Sequence, residues 1–142
     1  MKFGIPGLIT AMLFCTTPLM ATEVVVREFR GLGQTETEAF YVLSPWLVEW
    51  WSRPQTAIDH KPAHLEVYLY DASKNEFVGR VAEHAGVGHG EMLIEQGGRF
   101  RFRVHGQATH WELKVIKIDE EFAERLRETR PKPAEPRHRL GW

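Results

Sequence analysis

Residues 97–118 read GGRFRFRVHGQATHWELKVIKI. Phe100, Phe102 and Val104 alternate with Arg99, Arg101 and Arg103; past a glycine-containing break, Trp111, Leu113 and Val115 alternate with His110, Glu112 and Lys114. A period of two belongs to a strand with one apolar and one charged face. Two such runs about a short turn signal predict a β-hairpin. A turn centred on Gly106-Gln107 would set Arg101 opposite Glu112, Arg103 opposite His110, and Arg99 opposite Lys114. A lone hairpin is unstable in water, so other strands must cover the apolar side. Trp111 is expected inside that core, near Phe102.

Upstream, short β-rich segments recur at near-regular spacing. They are Glu23–Phe29, Ala39–Leu43, Trp46–Trp51, His64–Tyr70, Glu76–Ala82 and Glu91–Glu95. Pro45 interrupts between the second and third, because proline has no N–H for a ladder. In Trp46–Trp51, alternation puts Trp46, Val48 and Trp50 on one face and Leu47, Glu49 and Trp51 on the other. Residues 54–62 and the glycine-rich 86–90 read as loops, and 71–75 as a polar turn. About eight short strands with no long helical pattern among them predict an all-β fold, an antiparallel β-sandwich or jelly-roll. Asp119 is placed to cap a short helix through Glu128, with Glu121 and Arg125 paired one turn apart. From Pro131 the sequence PKPAEPRHRLGW predicts an extended tail. The expected organisation is thus a leader over 1–21, a sandwich over 22–118, a helix over 119–130 and a tail over 131–142.

The leader reading rests on Lys2, an apolar run from Phe3 to Cys15, and Leu19-Met20-Ala21 before the expected cleavage site. It implies a periplasmic or secreted protein with no stable membrane span after cleavage. Cys15 is the only cysteine, so the 121 residues after Ala21 hold no thiol and no disulfide. Loss of Lys2 leaves 17 basic against 19 acidic side chains, a formal charge of −2. That balance gives no general attraction to nucleic acid.

Three serines (Ser44, Ser52, Ser73) remain, and no Gly-x-Ser-x-Gly or His-Glu-x-x-His motif occurs. The sequence therefore points away from an enzyme and implies no cofactor. His84 and His89 flank the glycine loop and are the weak metal candidates, but their spacing fits no familiar zinc pattern. The candidate ligand-binding residues are the basic stripe Arg99, Arg101 and Arg103, with Trp51 and Tyr68 as aromatic neighbours. Arginines offer charge to an anionic ligand, and exposed aromatic rings stack on sugars or anchor an interface.

The Gly-Arg-Phe-Arg-Phe-Arg-Val strand, followed by a second strand opening on Trp111, resembles the closing hairpin of bacterial pre-peptidase C-terminal (PPC-like) β-sandwich domains. The Phe40-Tyr41-Val42 and Val67–Asp71 segments are compatible with that layout. The resemblance covers roughly residues 36–118 and implies a sandwich in an extracytoplasmic setting, without catalytic residues. The expected function is an exported, non-catalytic envelope protein whose sandwich binds a protein or glycan partner. Periplasmic lysozyme inhibitors have a similar architecture and supply the alternative; a metal-dependent enzyme is the third reading. An inhibitor of a basic enzyme would need an acidic surface, which a charge of −2 with an arginine stripe does not offer.

Overall fold

A computed structural model describes residues 22–55 and 62–130. The expected leader at 1–21, residues 56–61 of the expected loop and the expected tail at 131–142 lie outside the described residues. Among the described residues nine strands form: β1 (Val24–Leu32), β2 (Thr35–Glu36), β3 (Phe40–Val42), β4 (Trp46–Pro54), β5 (His64–Asp71), β6 (Glu76–Ala85), β7 (Gly88–Ile94), β8 (Gly98–Gln107) and β9 (Thr109–Lys117). One helix follows, α1 (Glu120–Thr129). Sheet A runs β1-β9-β4-β7; sheet B runs β2-β8-β5-β6, with β3 also on β8. Every pairing is antiparallel. The chain is therefore an all-β sandwich with a short C-terminal helix.

Both arms of the quoted stretch are strands, and Phe100, Phe102, Val104, Trp111, Leu113 and Val115 are all buried. They do not form a hairpin. β8 pairs with β5, β2 and β3, whereas β9 pairs with β1 and β4 in the other sheet. The chain crosses between sheets at Ala108, which takes a left-handed φ of 46°. Alternation identifies the apolar side of each strand, and two apolar sides meet equally well across a sandwich or side by side. The expected Arg101–Glu112 and Arg103–His110 oppositions are consequently absent. Arg101 lies opposite Tyr70 and Arg103 opposite Tyr68, while Glu112 lies between Arg30 and Trp51.

Between the sheets, the Trp46 and Phe100 rings pack at a tilt with centroids 5.5 Å apart, and Phe40 bridges Trp46 and Phe102. The Trp46 indole N–H is satisfied by Gln96 O at 2.9 Å, as a buried indole requires. Trp111 is buried as expected, but the aromatic neighbours of Phe102 are Phe29 and Phe40. The Trp111 ring lies instead against Gly31, and its N–H donates to Gly33 O at 2.9 Å.

The 86–90 segment is only partly loop. β7 starts at Gly88, and Gly90 gives Trp50 room, since a Cβ there would lie 2.6 Å from the indole. Helix α1 begins where the sequence predicts it. Asp119 Oδ1 accepts the Phe122 N–H at 2.7 Å, and Glu121 pairs with Arg125 at 3.1 Å. Its apolar side, Phe122, Ala123 and Leu126, packs on Leu47, Leu93, Ile116 and Ile118. The helix thereby covers one end of the outer face of sheet A. Leu47 is buried by this contact, while Glu49 and Trp51 farther along the same face are only half-buried.

Candidate functional site

The two outer faces of the sandwich divide the expected site residues. Arg99, Arg101 and Arg103 project from β8 on the outer face of sheet B, because Phe100, Phe102 and Val104 point inward. Tyr68 shares that face on β5. Trp51 does not: it stands on the outer face of sheet A, on the far side of the core. The five residues proposed from sequence are therefore not one site.

The arginine stripe is largely engaged within the fold. Arg101 Nε lies 2.9 Å from Glu36 Oε1, without hydrogen-bond alignment, and its guanidinium also meets Asn75. Arg103 reaches the same Glu36 at 3.5 Å, lies 4.4 Å over the Tyr70 ring, and donates to the Tyr70 hydroxyl at 3.2 Å. Two arginines thus share one carboxylate that β2 brings to the sheet edge. Only Arg99 is exposed and without an ion-pair partner among the described residues. Glu36 lies in a stretch the sequence marked only as polar, so this pairing was not foreseen.

The end of sheet A that α1 leaves uncovered among the described residues offers a different surface. Two hollows of about 700 and 650 Å³ meet at Trp51, Arg53 and Glu112. The first is bordered by Arg30, Leu32, Pro54 and His110; the second by Val87, His89 and Lys114. Strand periodicity explains the cluster. Arg53 and Trp51 project from β4, His110, Glu112 and Lys114 from β9, and His89 from β7, all on one side of the sheet. His89 lies flat on the Trp51 indole at 4.7 Å, and Lys114 Nζ lies 5.1 Å from the ring centre. Glu112 pairs with Arg30 at 3.3 Å and Lys114 with Glu28 at 3.7 Å. Arg53 is exposed and has no carboxylate partner among the described residues. The groove therefore combines an aromatic wall with cationic side chains from three strands, of which Arg30 and Lys114 are paired with carboxylates and Arg53 is not. Sequence periodicity placed Trp51 outward, but neither Arg53 nor Arg30 carried any signal of its own.

The glycine-loop histidines separate. His84 packs on the inward Trp50 at 5.5 Å and its Nε2 meets Val87 O at 2.8 Å, while His89 faces outward on Trp51. They cannot share an ion. Among the described residues, the group with metal-ligand potential is His64, Glu66 and Glu83, whose donor atoms all lie within 4.8 Å of one another. The Ser52 hydroxyl, 1% exposed, is bonded to Thr109 Oγ1 and Gly86 O at 3.0 Å each, tying the strand ends together. No helix among the described residues is long and apolar enough to cross a membrane. The sequence matches no protein-family model and no curated protein.

Proposed function

We propose that this protein is an exported, non-catalytic envelope protein that binds an anionic glycan in the groove over Trp51. The observation that carries the reading is the half of sheet A left bare by α1, with Trp51 flanked by Arg30, Arg53 and His110. A sugar ring would lay its C–H face against the indole, and its acidic group would meet Arg53, whose planar fork suits a carboxylate or sulfate. The arginine stripe of β8 is set aside as the binding surface, because Arg101 and Arg103 are already occupied by Glu36 and Tyr70.

Export is part of the same proposal, with the PPC-like resemblance and its extracytoplasmic setting. A local feature supports cleavage after Ala21. Thr22 N lies 3.1 Å from Asp119 Oδ2. Cleavage would turn that amide into an ammonium group facing the carboxylate, a stronger, charge-assisted contact.

The test is a binding titration of a soluble polyuronate, with a neutral polysaccharide as control. The polyuronate should bind, more weakly as salt rises, since exposed charges are screened over about 8–10 Å at physiological ionic strength. Trp51→Ala and Arg53→Ser should each weaken it, Arg53→Ser with unchanged melting temperature. Binding that survives both substitutions, or that ignores salt, rejects the groove. Mass spectrometry of the exported protein should find Thr22 at its N-terminus; intact Met1 rejects export.

A further inference from the structure

The geometry points to a binding site for one divalent transition-metal ion of the zinc class on the outer face of sheet B, formed by His64, Glu66 and Glu83 with His105 beside them. Strand register builds it. His64 and Glu66 are two apart on β5, so they share a face. Glu83 on β6 and His105 on β8 lie directly opposite Glu66 on either side. One imidazole and two carboxylates thus converge from two adjacent strands, with His105 beside them on a third, on the opposite side of the sandwich from the Trp51 groove.

The distances admit an ion after small side-chain movements. With donor atoms no more than 4.8 Å apart, a central ion would be at most about 2.8 Å from each, against ~2.0–2.2 Å for zinc bonded to His nitrogen or carboxylate oxygen. The side chains of His64, Glu66 and Glu83 are 40%, 29% and 44% exposed, so each has room to close in. Glu66 is held in place meanwhile. Its Oε2 accepts the Tyr68 hydroxyl at 2.8 Å and its Oε1 lies 3.2 Å from His64 Nε2. A hydroxyl on the far oxygen is the outer support that ligating carboxylates commonly have.

Two further observations favour a cation here. Glu66 and Glu83 are like charges directly opposite on neighbouring strands, an arrangement that costs stability unless a cation lies between them. Arg80 pairs with Glu83 and relieves part of this, but the pair is exposed and of the weak surface kind. A cavity of about 390 Å³ also opens onto His64, Glu66 and His105, leaving space for a water or a ligand oxygen on the ion. Mixed imidazole and carboxylate donors suit zinc or its transition-metal neighbours better than calcium or magnesium, which take oxygen.

The test is a zinc titration of the purified, untagged protein against a chromophoric chelator. One equivalent of zinc should bind. His64→Ala and Glu83→Gln should each weaken it by roughly 10-fold or more, the scale on which even outer-shell changes act. Glu83 is exposed, so Glu83→Gln keeps the fold, and melting curves without metal check this. His89→Ala and His110→Ala, on the opposite face, should leave zinc binding unchanged. No zinc uptake, uptake untouched by His64→Ala and Glu83→Gln, or calcium bound in preference to zinc would overturn the site. None of these outcomes bears on the polyuronate groove.

Discussion

Gly31→Ala adds one methyl group to β1, opposite Trp111 in the register. Its Cβ would lie 2.4 Å from Cζ2 and 2.9 Å from Cε2 of the indole, well inside the ~3.5–4.0 Å optimum for carbon pairs. The ring cannot easily step aside, since it is 4% exposed and its N–H is bonded to Gly33 O. Overpacking a closed core costs about 1–3 kcal/mol. Loss of the indole hydrogen bond adds about 1 kcal/mol, so the substitution should cost about 2–4 kcal/mol. Trp111→Ala should itself cost about 3–5 kcal/mol. With the ring gone, however, the Gly31 methyl meets a cavity. The double variant should then be no less stable than Trp111→Ala alone, a coupling of about 2 kcal/mol or more between neighbours. Urea unfolding followed by far-ultraviolet circular dichroism measures all four corners, provided the m-value is constant. A Gly31→Ala cost under about 0.5 kcal/mol, within the noise of surface substitutions, would refute the steric argument. So would a cost that persists in full beside Trp111→Ala.

Ala123→Glu places a carboxylate in the fully buried contact between α1 and sheet A. It should lift the helix and expose Leu47 and Ile116 without melting the sandwich, seen as faster proteolysis after Lys117 with retained β-sheet dichroism. Asp119 is held below its ordinary value of 3.8, first by the Phe122 N–H and then by the Thr22 N–H. A depressed folded value contributes stability that is complete above the unfolded value and lost as pH falls through the folded one. Asp119→Asn keeps a capping oxygen without the charge, so melting temperature should fall less steeply below about pH 4 than in the parent. On the β8 stripe, Arg101→Ser should cost about 1 kcal/mol through Glu36 and its packed stem. Arg99→Ser should stay within about 0.5 kcal/mol, and equal losses at the two positions would contradict the assignment of Arg101 to the fold.

The residue pattern alone determined the alternating strands and their faces, though not β2 or the start of β7. Alternation of Phe100-Phe102-Val104 and Trp111-Leu113-Val115 reports which side of each backbone avoids water, and every one of those six is buried. The Asp119 cap and the Glu121–Arg125 pair were equally legible, because both are contacts within one helical turn. What alternation cannot carry is the identity of a neighbour across 30 or 80 residues. Burial of an apolar face is nearly indifferent to whether its partner lies beside it or across the core, and so β8 and β9 could read as one hairpin while standing in different sheets. The same indifference hid Glu36 from Arg101, and gave Leu47, Glu49 and Trp51 one face but not their different burial. Tertiary structure decided those points, the first two by how the strands are shared between the sheets and the third by where α1 comes to rest on sheet A. It decided the candidate sites too. The Trp51 groove gathers β1, β4, β7 and β9, and the His64 cluster gathers β5, β6 and β8. Side chains that meet only through register leave no local spacing to read.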